Sequence, residues 1–283
     1  MARQLLGKEV TAAMNEKIKS NVAKLQEKGI TPTLGIIRVG EREDDISYER
    51  GATKRCETLG VAYEKFLLPQ DVTEEALLEV INQVNKNDAI HGVLLFRPLP
   101  KHLNEENIIN ALDFAKDVDG ITDGSLAGVF AGKKQGFPPC TPQGCMEILD
   151  HYGIDCTGKK AVVVGRSLVV GKPAAMMLVQ KNATVTICHT KTKDMPSVVK
   201  EADIVIVAAG RAGVIDGSYL REGQVVIDVG INVSEEGKLC GDVNYAEAEK
   251  IVDAITPVPG GAGSVTTSVL VGHVVEAAMR KYL

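Results

Sequence analysis

Apolar residues recur in the first part of the chain at the spacing of one helix face. Val10, Met14, Ile18, Val22 and Leu25 are separated by four or three residues, and this spacing places them in one stripe along an α-helix. A glycine follows shortly afterwards and is typical of the end of a helix. The pattern predicts a helix from about residue 10 to residue 25.

Short apolar runs and helical stretches alternate along the rest of the chain. Such alternation is typical of mostly parallel sheets joined by crossover helices. The later apolar runs show no polar alternation, so both faces of their sheet should be covered. We predict strands at 34–39, 61–68, 92–96, 160–164, 183–188, 204–209 and 225–229, and helices at 47–59, 73–85, 142–152, from 171 onward, at 196–202 and at 267–282.

Two segments interrupt this rhythm. Residues 116–141 are rich in glycine, aspartate and proline and have no period. An irregular loop of this length inside a compact domain is usually functional. Residues 256–263 form a second segment rich in proline and glycine, and they lead into the last predicted helix, which could cap either domain.

Composition and charge narrow the classes of function. With 283 residues, of which 45% are hydrophobic, the chain can build one large core or two modest ones. The net charge of -5 and the absence of a basic cluster exclude a nucleic-acid-binding surface. The apolar runs are shorter than the roughly 20 residues of a membrane helix, and the N-terminus lacks the apolar core of a signal peptide. We therefore expect a cytoplasmic protein with no membrane partner.

The six cysteines are spread over most of the chain and form no Cys-x-x-Cys pair. The histidines do not cluster near them. We expect reduced thiols that fill core and loop positions, with no disulfide framework and no metal site.

A glycine turn joins a predicted strand to a predicted helix at residues 162–173. Gly165 and Gly171 bracket the turn, and Pro173 lies in the first helical turn. Such a turn directs backbone N–H groups toward an anion. It is not a P-loop, because five residues separate the glycines and proline follows the lysine. It also departs from Gly-x-Gly-x-x-Gly, so an ordinary tight turn and a dinucleotide site both fit it.

Two cations indicate which dinucleotide this turn would take. Arg166 lies where a pyrophosphate or an adenosine 2′-phosphate would lie, and Lys191 follows the end of the next predicted strand. An acidic residue at that strand end would favour a free 2′-hydroxyl. A lysine there favours NADP over NAD, although a solvated lysine would give the same sequence.

Several longer motifs together resemble the methylenetetrahydrofolate dehydrogenase/cyclohydrolase family, and the resemblance covers essentially the whole chain. They are Val39-Gly40 with Ser47 to Lys54 around Tyr48, and the segments 98–100, 116–120, 139–144, 164–173, 226–232, 241–243 and 256–261.

The resemblance implies a fold and an activity. It implies an α/β protein of two domains with a cleft between them, each with a mostly parallel sheet covered by helices, the C-terminal one Rossmann-like. Residues 1–143 would bind folate, joined by the C-terminal helix 264–283, and residues 144–263 would bind NAD(P). The family oxidises 5,10-methylenetetrahydrofolate to the 5,10-methenyl form and usually forms homodimers.

The resemblance also implies roles for individual residues. Tyr48 would pack its ring against the folate, and Asp119 would accept hydrogen bonds from the pterin. Both are candidate catalytic residues, as is Lys54. Pro259, Gly260 and Gly261 would bring backbone close to the folate rings. The cofactor, NADP or alternatively NAD, would be bound by Gly165, Arg166, Ser167, Gly171, Thr190, Lys191 and Ile231.

Two positions depart from the family's bifunctional members. Those members have a lysine four residues after the tyrosine, where this chain has Ala52, and a glutamine two residues before Pro-Leu-Pro, where it has Phe96. Lys54 is a stand-in, but two residues turn a helix by about 200°, so it should point away from Tyr48. Arg97 is another candidate for the missing charge.

These departures lead us to predict an NADP-dependent dehydrogenase with weak or absent cyclohydrolase activity. A fully bifunctional enzyme that continues to 10-formyltetrahydrofolate is the alternative. A non-catalytic nucleotide-binding protein is the alternative of another class.

Overall fold

The computed structural model describes residues 1–234 and 236–283, and in them helices alternate with strands. The helices are α1 (Gly7–Gln26), α2 (Glu43–Leu59), α3 (Glu74–Lys86), α4 (Glu105–Ala111), α5 (Asp123–Ala131), α6 (Cys140–His151), α7 (Gly171–Gln180), α8 (Met195–Lys200), α9 (Tyr245–Ala248) and α10 (Thr266–Tyr282). The strands are β1 (Arg3–Gln4), β2 (Thr33–Val39), β3 (Ala62–Leu68), β4 (Gly92–Leu95), β5 (Lys160–Val164), β6 (Thr184–Cys188), β7 (Ile204–Val207), β8 (Val225–Asp228), β9 (Asn232–Val233), β10 (Leu239–Cys240) and β11 (Ala254–Ile255).

The chain divides into two compact units. One contains residues 13–140 and 267–283 and is called here the three-stranded unit, after its sheet. The other contains residues 1–12 and 141–266 and is called the six-stranded unit. Both are α/β, as predicted.

The three-stranded unit is built around β2. Its sheet has the order β3-β2-β4, and both pairings are parallel. Alternate residues of β2 point to opposite faces. Ile37 and Val39 belong to one apolar core with Leu77 and Ile81 of α3. Arg38 therefore points to the other face, where it meets α2.

The six-stranded unit has the sheet order β1-β11-β8-β7-β5-β6, and its pairings are all parallel. The chain goes from β5 to β6 on one side and then to β7 on the other. The strand order therefore reverses between β5 and β7, and in such sheets ligands bind at the carboxyl ends of the strands on either side of the reversal. β5, β7 and β8 are almost completely buried, which confirms that both of their faces are covered.

The structure contains elements that were not predicted, among them β1, α4, α9 and β9 to β11, and it differs from the predicted organisation at two further places. Residues 1–12 were predicted to join the folate-binding half, but they lie in the six-stranded unit because Arg3–Gln4 pairs with Ala254–Ile255. The segment 116–141, predicted to be irregular, contains α5. The Thr122 hydroxyl caps that helix by accepting from the N–H of Ser125, and Gly132 ends it in a left-handed conformation.

The helix over 262–282 has the length and mean hydropathy of a membrane span, which the sequence analysis missed. A core helix passes the same test. In the three-stranded unit the α10 side chains Leu270, Val271, Val274 and Val275 are completely or almost completely buried. The cysteines are unpaired, and five of the six are buried.

Candidate active site

Tyr48 lies on α2 and meets the end of β4. Its half-buried ring contacts the ring of Phe96 edge-on, with the centroids 6.0 Å apart. Ala52 lies one helical turn after Tyr48 and is completely buried, and Phe96 is only 7% exposed. The two positions that the family resemblance marks as departures are thus small or apolar and closed to solvent.

Lys54 lies on a different side of α2. Its side chain is exposed, whereas Ala52 and Thr53 are buried. This agrees with the rotation of a helix between neighbouring positions. The predicted catalytic role of Lys54 stays a prediction, since its position shows only that the side chain is open to solvent.

A group of three charged side chains joins α2 to the sheet, and of these Arg38 and Glu49 are buried while Lys65 is exposed. Glu49 accepts from Nε of Arg38 at 2.8 Å, and its other oxygen lies 2.7 Å from Nζ of Lys65. Arg38 also donates to the carbonyl oxygen of Gly40. Burial would raise the pKa of Glu49, but the hydrogen bonds from Lys65 and Arg38 outweigh it and hold that pKa below its usual value. The group fixes the helix residue next to Tyr48, and it was not predicted from the sequence.

Asp119 is held by a loop that Asp117 organises. The completely buried carboxylate of Asp117 accepts from the N–H groups of Ile121 and Thr122 at 3.0 and 2.8 Å and from the Thr122 hydroxyl at 2.7 Å. Asp119 itself is half-buried, and loss of solvent raises its pKa to about 6, although the thiol and N–H of Cys140 oppose that rise. A carboxylate kept partly out of water is suited to accept from a ligand.

Pro259, Gly260 and Gly261 lie in the six-stranded unit, whereas Tyr48 and Asp119 lie in the three-stranded unit. The Gly260 carbonyl accepts from the N–H of Gly7 at 2.9 Å, and the Gly261 carbonyl accepts from the Ser264 hydroxyl at 2.7 Å. These bonds hold the segment after β11 in a fixed conformation.

The glycine turn lies where the strand order of the six-stranded sheet reverses. A Cβ on Gly165 would overlap the carbonyl of Ala208, which follows β7. A Cβ on Gly171 would overlap the Gly165 carbonyl and lie 2.8 Å from the Arg166 nitrogen. Glycine is therefore required at both positions by close backbone approach, and the turn has the compact form of a dinucleotide cradle.

Ser167 accepts backbone hydrogen bonds at the start of the helix that follows this turn. Its hydroxyl oxygen accepts from the N–H groups of Val170 and Gly171, and its carbonyl accepts from Lys172. A turn of this kind was expected to direct backbone N–H groups toward an anion, but these three are bonded within the chain. The exposed side chains of Arg166 and Ser167 then remain as the polar groups of the turn.

The turn after β6 lies beside the glycine turn. Cys188 pairs in register with Val164, so the residues that follow each strand emerge at the same edge. The N–H of His189 donates to the Thr192 hydroxyl at 2.8 Å, and the N–H of Lys191 donates to Nδ1 of His189 at 3.1 Å. Thr190 and the side chain of Lys191 are exposed at this edge. Ile231 lies three residues after the end of β8 and is 67% exposed.

Comparison with known proteins decides the family. Residues 5–119 match the family model "Tetrahydrofolate dehydrogenase/cyclohydrolase, catalytic domain". Residues 139–282 match the model of the NAD(P)-binding domain of the same family. The chain belongs to the tetrahydrofolate dehydrogenase/cyclohydrolase family. The NAD(P)-binding match covers most of the six-stranded unit and continues into α10 of the three-stranded unit, and the predicted family, fold class and cofactor type are confirmed.

Relatives of this chain cover almost its whole length. The Bifunctional protein FolD of Carboxydothermus hydrogenoformans is 54% identical over 98% of this chain and 97% of its own. The crystal structure of the bifunctional FolD from Campylobacter jejuni has a TM-score of 0.96 at 39% identity and covers 99% and 100% of the two chains. The FolD of Trypanosoma brucei, solved with NADP and an inhibitor, has a TM-score of 0.92 at 33% identity and covers 99% and 98%.

Proposed function

We propose that this chain oxidises 5,10-methylenetetrahydrofolate to 5,10-methenyltetrahydrofolate and passes a hydride to NADP. The observation that carries the proposal is that a chain matching both family domains keeps Tyr48 and a half-buried Asp119 in one unit. The glycine turn, with no room for a side chain at Gly165 or Gly171, supports the cofactor part of the proposal.

Hydride transfer requires no acid or base catalysis by the side chains. The carbon–hydrogen bond of the one-carbon bridge breaks, both electrons leave with the hydride, and the two neighbouring nitrogens share the positive charge. A bound oxidised nicotinamide supplies the hydride acceptor. Tyr48 packs against the folate rings, and ionised Asp119 accepts from the pterin N–H groups. No side chain has to remove a proton, so the chain acts by binding and orientation.

The choice of NADP rests on Arg166 and Lys191. Both side chains are exposed at the carboxyl edge of neighbouring strands, where a 2′-phosphate would receive charge-assisted hydrogen bonds. Thr190 and Thr192 do not repel a phosphate.

The second activity of the family is hydrolysis of the methenyl product. The relatives are named bifunctional, and these names favour a bifunctional function over the dehydrogenase alone that the sequence predicted. Hydrolysis adds water to the cationic carbon and needs a group that moves protons. In this chain the two departing positions hold buried Ala52 and Phe96. Our proposal is therefore that hydrolysis is the slower activity, well below the rate of hydride transfer.

We also propose that the chain forms a homodimer through its NAD(P)-binding domain, as the family resemblance implies. Light scattering should give a mass near twice the 30.2 kDa of the chain. A mass of one chain at micromolar concentration would contradict this.

The experiment that tests the dehydrogenase is an assay with the purified chain and methylenetetrahydrofolate. Reduced nicotinamide is followed by absorbance with NADP and, separately, with NAD. Asp119→Asn is the control for the folate site. We expect reduction with both nucleotides, with the higher kcat/KM for NADP, and no reduction with either would refute the proposal.

A further inference from the structure

Two buried carboxylates connect the loops at the carboxyl edge of the six-stranded sheet. The completely buried Asp242 accepts from the successive N–H groups of Ala209, Gly210 and Arg211 at 2.6, 2.8 and 2.9 Å. It also accepts from the side-chain amide of Asn232 at 2.9 Å. One carboxylate thus joins the segment after β7 to the segment after β8.

Asp228 provides the second connection. This buried side chain at the end of β8 accepts from the N–H groups of Gly230, Asp242 and Val243 at 2.9, 3.0 and 2.9 Å. It therefore holds the backbone of Asp242 in place. Seven donors serve the two carboxylates, so neither is left with an unsatisfied buried charge.

The three N–H groups that Asp242 accepts are of the kind that bind anions. Successive backbone N–H groups directed at one point form a concave anion site. Here the site is filled from within the chain, so the phosphate groups of a dinucleotide would be left to the exposed Arg166 and Ser167 side chains of the glycine turn after β5. The side chain of Ile231, which directly precedes Asn232, is exposed beside the filled site, as are residues 209–211.

We propose that Asp242 and Asn232 are positioning residues for the nicotinamide cofactor, which they serve by holding the backbone on either side of Ile231. The inference rests on the proposed function, because it requires the chain to bind NADP. Asn232 ties the exposed segment to the buried carboxylate, and Gly230, on the other side of Ile231, is tied to Asp228. The segment is therefore ordered before the cofactor binds, which lowers the entropic cost of binding.

The test compares two asparagines of the same unit. Asn232→Ala removes the amide that Asp242 accepts. Asn244→Ala is the matched control, because its half-buried amide donates at 2.8 Å to Glu247 instead of to Asp242. Affinity for NADP is measured by calorimetry, together with KM and kcat for both substrates. Loss of a hydrogen bond to a charged group should raise Kd and KM for NADP about tenfold in Asn232→Ala.

The pattern of effects separates positioning from stability. Positioning predicts that kcat at saturating NADP, KM for methylenetetrahydrofolate and the melting temperature stay close to those of the unsubstituted chain, and that Asn244→Ala changes none of them. An unchanged Kd for NADP in Asn232→Ala would overturn the inference, as would equal losses in both variants. If the unsubstituted chain itself fails to bind NADP, the proposed function fails instead.

Asp242→Asn gives a second measurement. In this variant an amide replaces the carboxylate that accepts from the N–H groups of residues 209–211. Those hydrogen bonds should weaken, and the segment should open more often. Faster hydrogen exchange at those three N–H groups, together with weaker NADP binding, is expected. Exchange at the unsubstituted rate would contradict the role of Asp242.

Discussion

The ring of Phe96 stands edge-on to the ring of Tyr48, with 6.0 Å between the centroids and 82° between the planes. Such a pair is favourable by about 0.5–1.5 kcal/mol beyond its buried area. The contact orients Tyr48, but an aromatic ring at position 96 has no amide with which to orient water or tune a neighbouring amine. Under the proposed function, Phe96 would thus hold the folate-binding ring of Tyr48 and offer no polar group to the hydrolysis step.

The first prediction concerns gain of hydrolysis. In an Ala52→Lys, Phe96→Gln double variant, the new ammonium group would lie at a completely buried position, where desolvation lowers the pKa of lysine and makes it a usable base. We expect methenyltetrahydrofolate hydrolysis to rise at least about tenfold, toward the typical effect of a general base. The measurement is loss of methenyl absorbance above the buffer rate.

Lys54→Ala is the control for that variant. Because the Lys54 side chain is exposed, its removal should leave hydrolysis and dehydrogenase rates unchanged. A fall in hydrolysis in Lys54→Ala would show that Lys54 is the stand-in after all. An unsubstituted chain that hydrolyses as fast as it reduces NADP would refute the slow second activity.

The second prediction is a pH dependence set by Asp119. Its pKa is raised to about 6 by desolvation, and only the ionised form accepts two pterin N–H groups. The kcat/KM for methylenetetrahydrofolate should therefore increase about tenfold per pH unit below pH 6 and level off above it. Asp119→Asn should remove this inflection and lower kcat/KM by about tenfold or more. An unchanged inflection in Asp119→Asn would assign it to another group, such as Asp228, whose pKa is also about 6.

The third prediction is that Asp119 supports activity but lowers the free energy of unfolding at neutral pH. A carboxyl whose pKa is higher in the folded state than in the unfolded chain favours folding below its unfolded pKa and loses that contribution as pH rises through the folded pKa. At neutral pH the ionised Asp119 is therefore unfavourable. Asp119→Asn should raise the free energy of unfolding at pH 7 by about 1–2 kcal/mol while activity falls. Denaturant unfolding at pH 7 and pH 4.5 measures this, and the gain should shrink at the lower pH.

The fourth prediction concerns cofactor choice. Lys191→Ala removes an exposed charge at the end of β6 and should lower kcat/KM for NADP about tenfold, with little change for NAD. Lys193→Ala, another exposed lysine two residues away, is the control and should change neither. Equal losses with NADP and NAD would mean that Lys191 does not contact the 2′-phosphate.

The fifth prediction compares two glycines. A methyl group at Gly171 would overlap the Gly165 carbonyl, so Gly171→Ala should destabilise the six-stranded unit by about 2 kcal/mol or more and weaken NADP binding. Gly51, in the middle of α2, has open space around its Cβ position. Gly51→Ala should stabilise the chain by about 0.5–1 kcal/mol. Thermal melts of both variants check the two signs.

Much of the fold could be predicted from the sequence, because the local pattern of apolar and polar residues decides most of the helices and strands. β5 was predicted at its exact bounds, 160–164, since its apolar run is short and flanked by polar residues. α5 was missed because its sequence, Asp123–Ala131, contains two glycines and has no helical period. β1 was missed because two residues carry no pattern, and their partner lies about 250 positions later.

The candidate site likewise contains some residues that could be predicted from the sequence and others that could not. Tyr48, Asp119 and the glycine turn are recognisable from motifs whose residues are close together in sequence. Asp242 could not be predicted, because its role depends on N–H groups of residues 209–211, which only the fold brings to it. The bonds of Glu49 to Arg38 and Lys65 likewise require the register of β2 with β3.

The most direct measurement follows both products in one reaction of the purified chain with methylenetetrahydrofolate and NADP. Reduced nicotinamide and the methenyl product are read together by absorbance, with the buffer rate of methenyl hydrolysis subtracted. Our account predicts that the two rise in equal amounts, because hydride transfer is fast and hydrolysis slow. Reduced nicotinamide that forms without accumulation of the methenyl product, or no reduced nicotinamide at all, would contradict it.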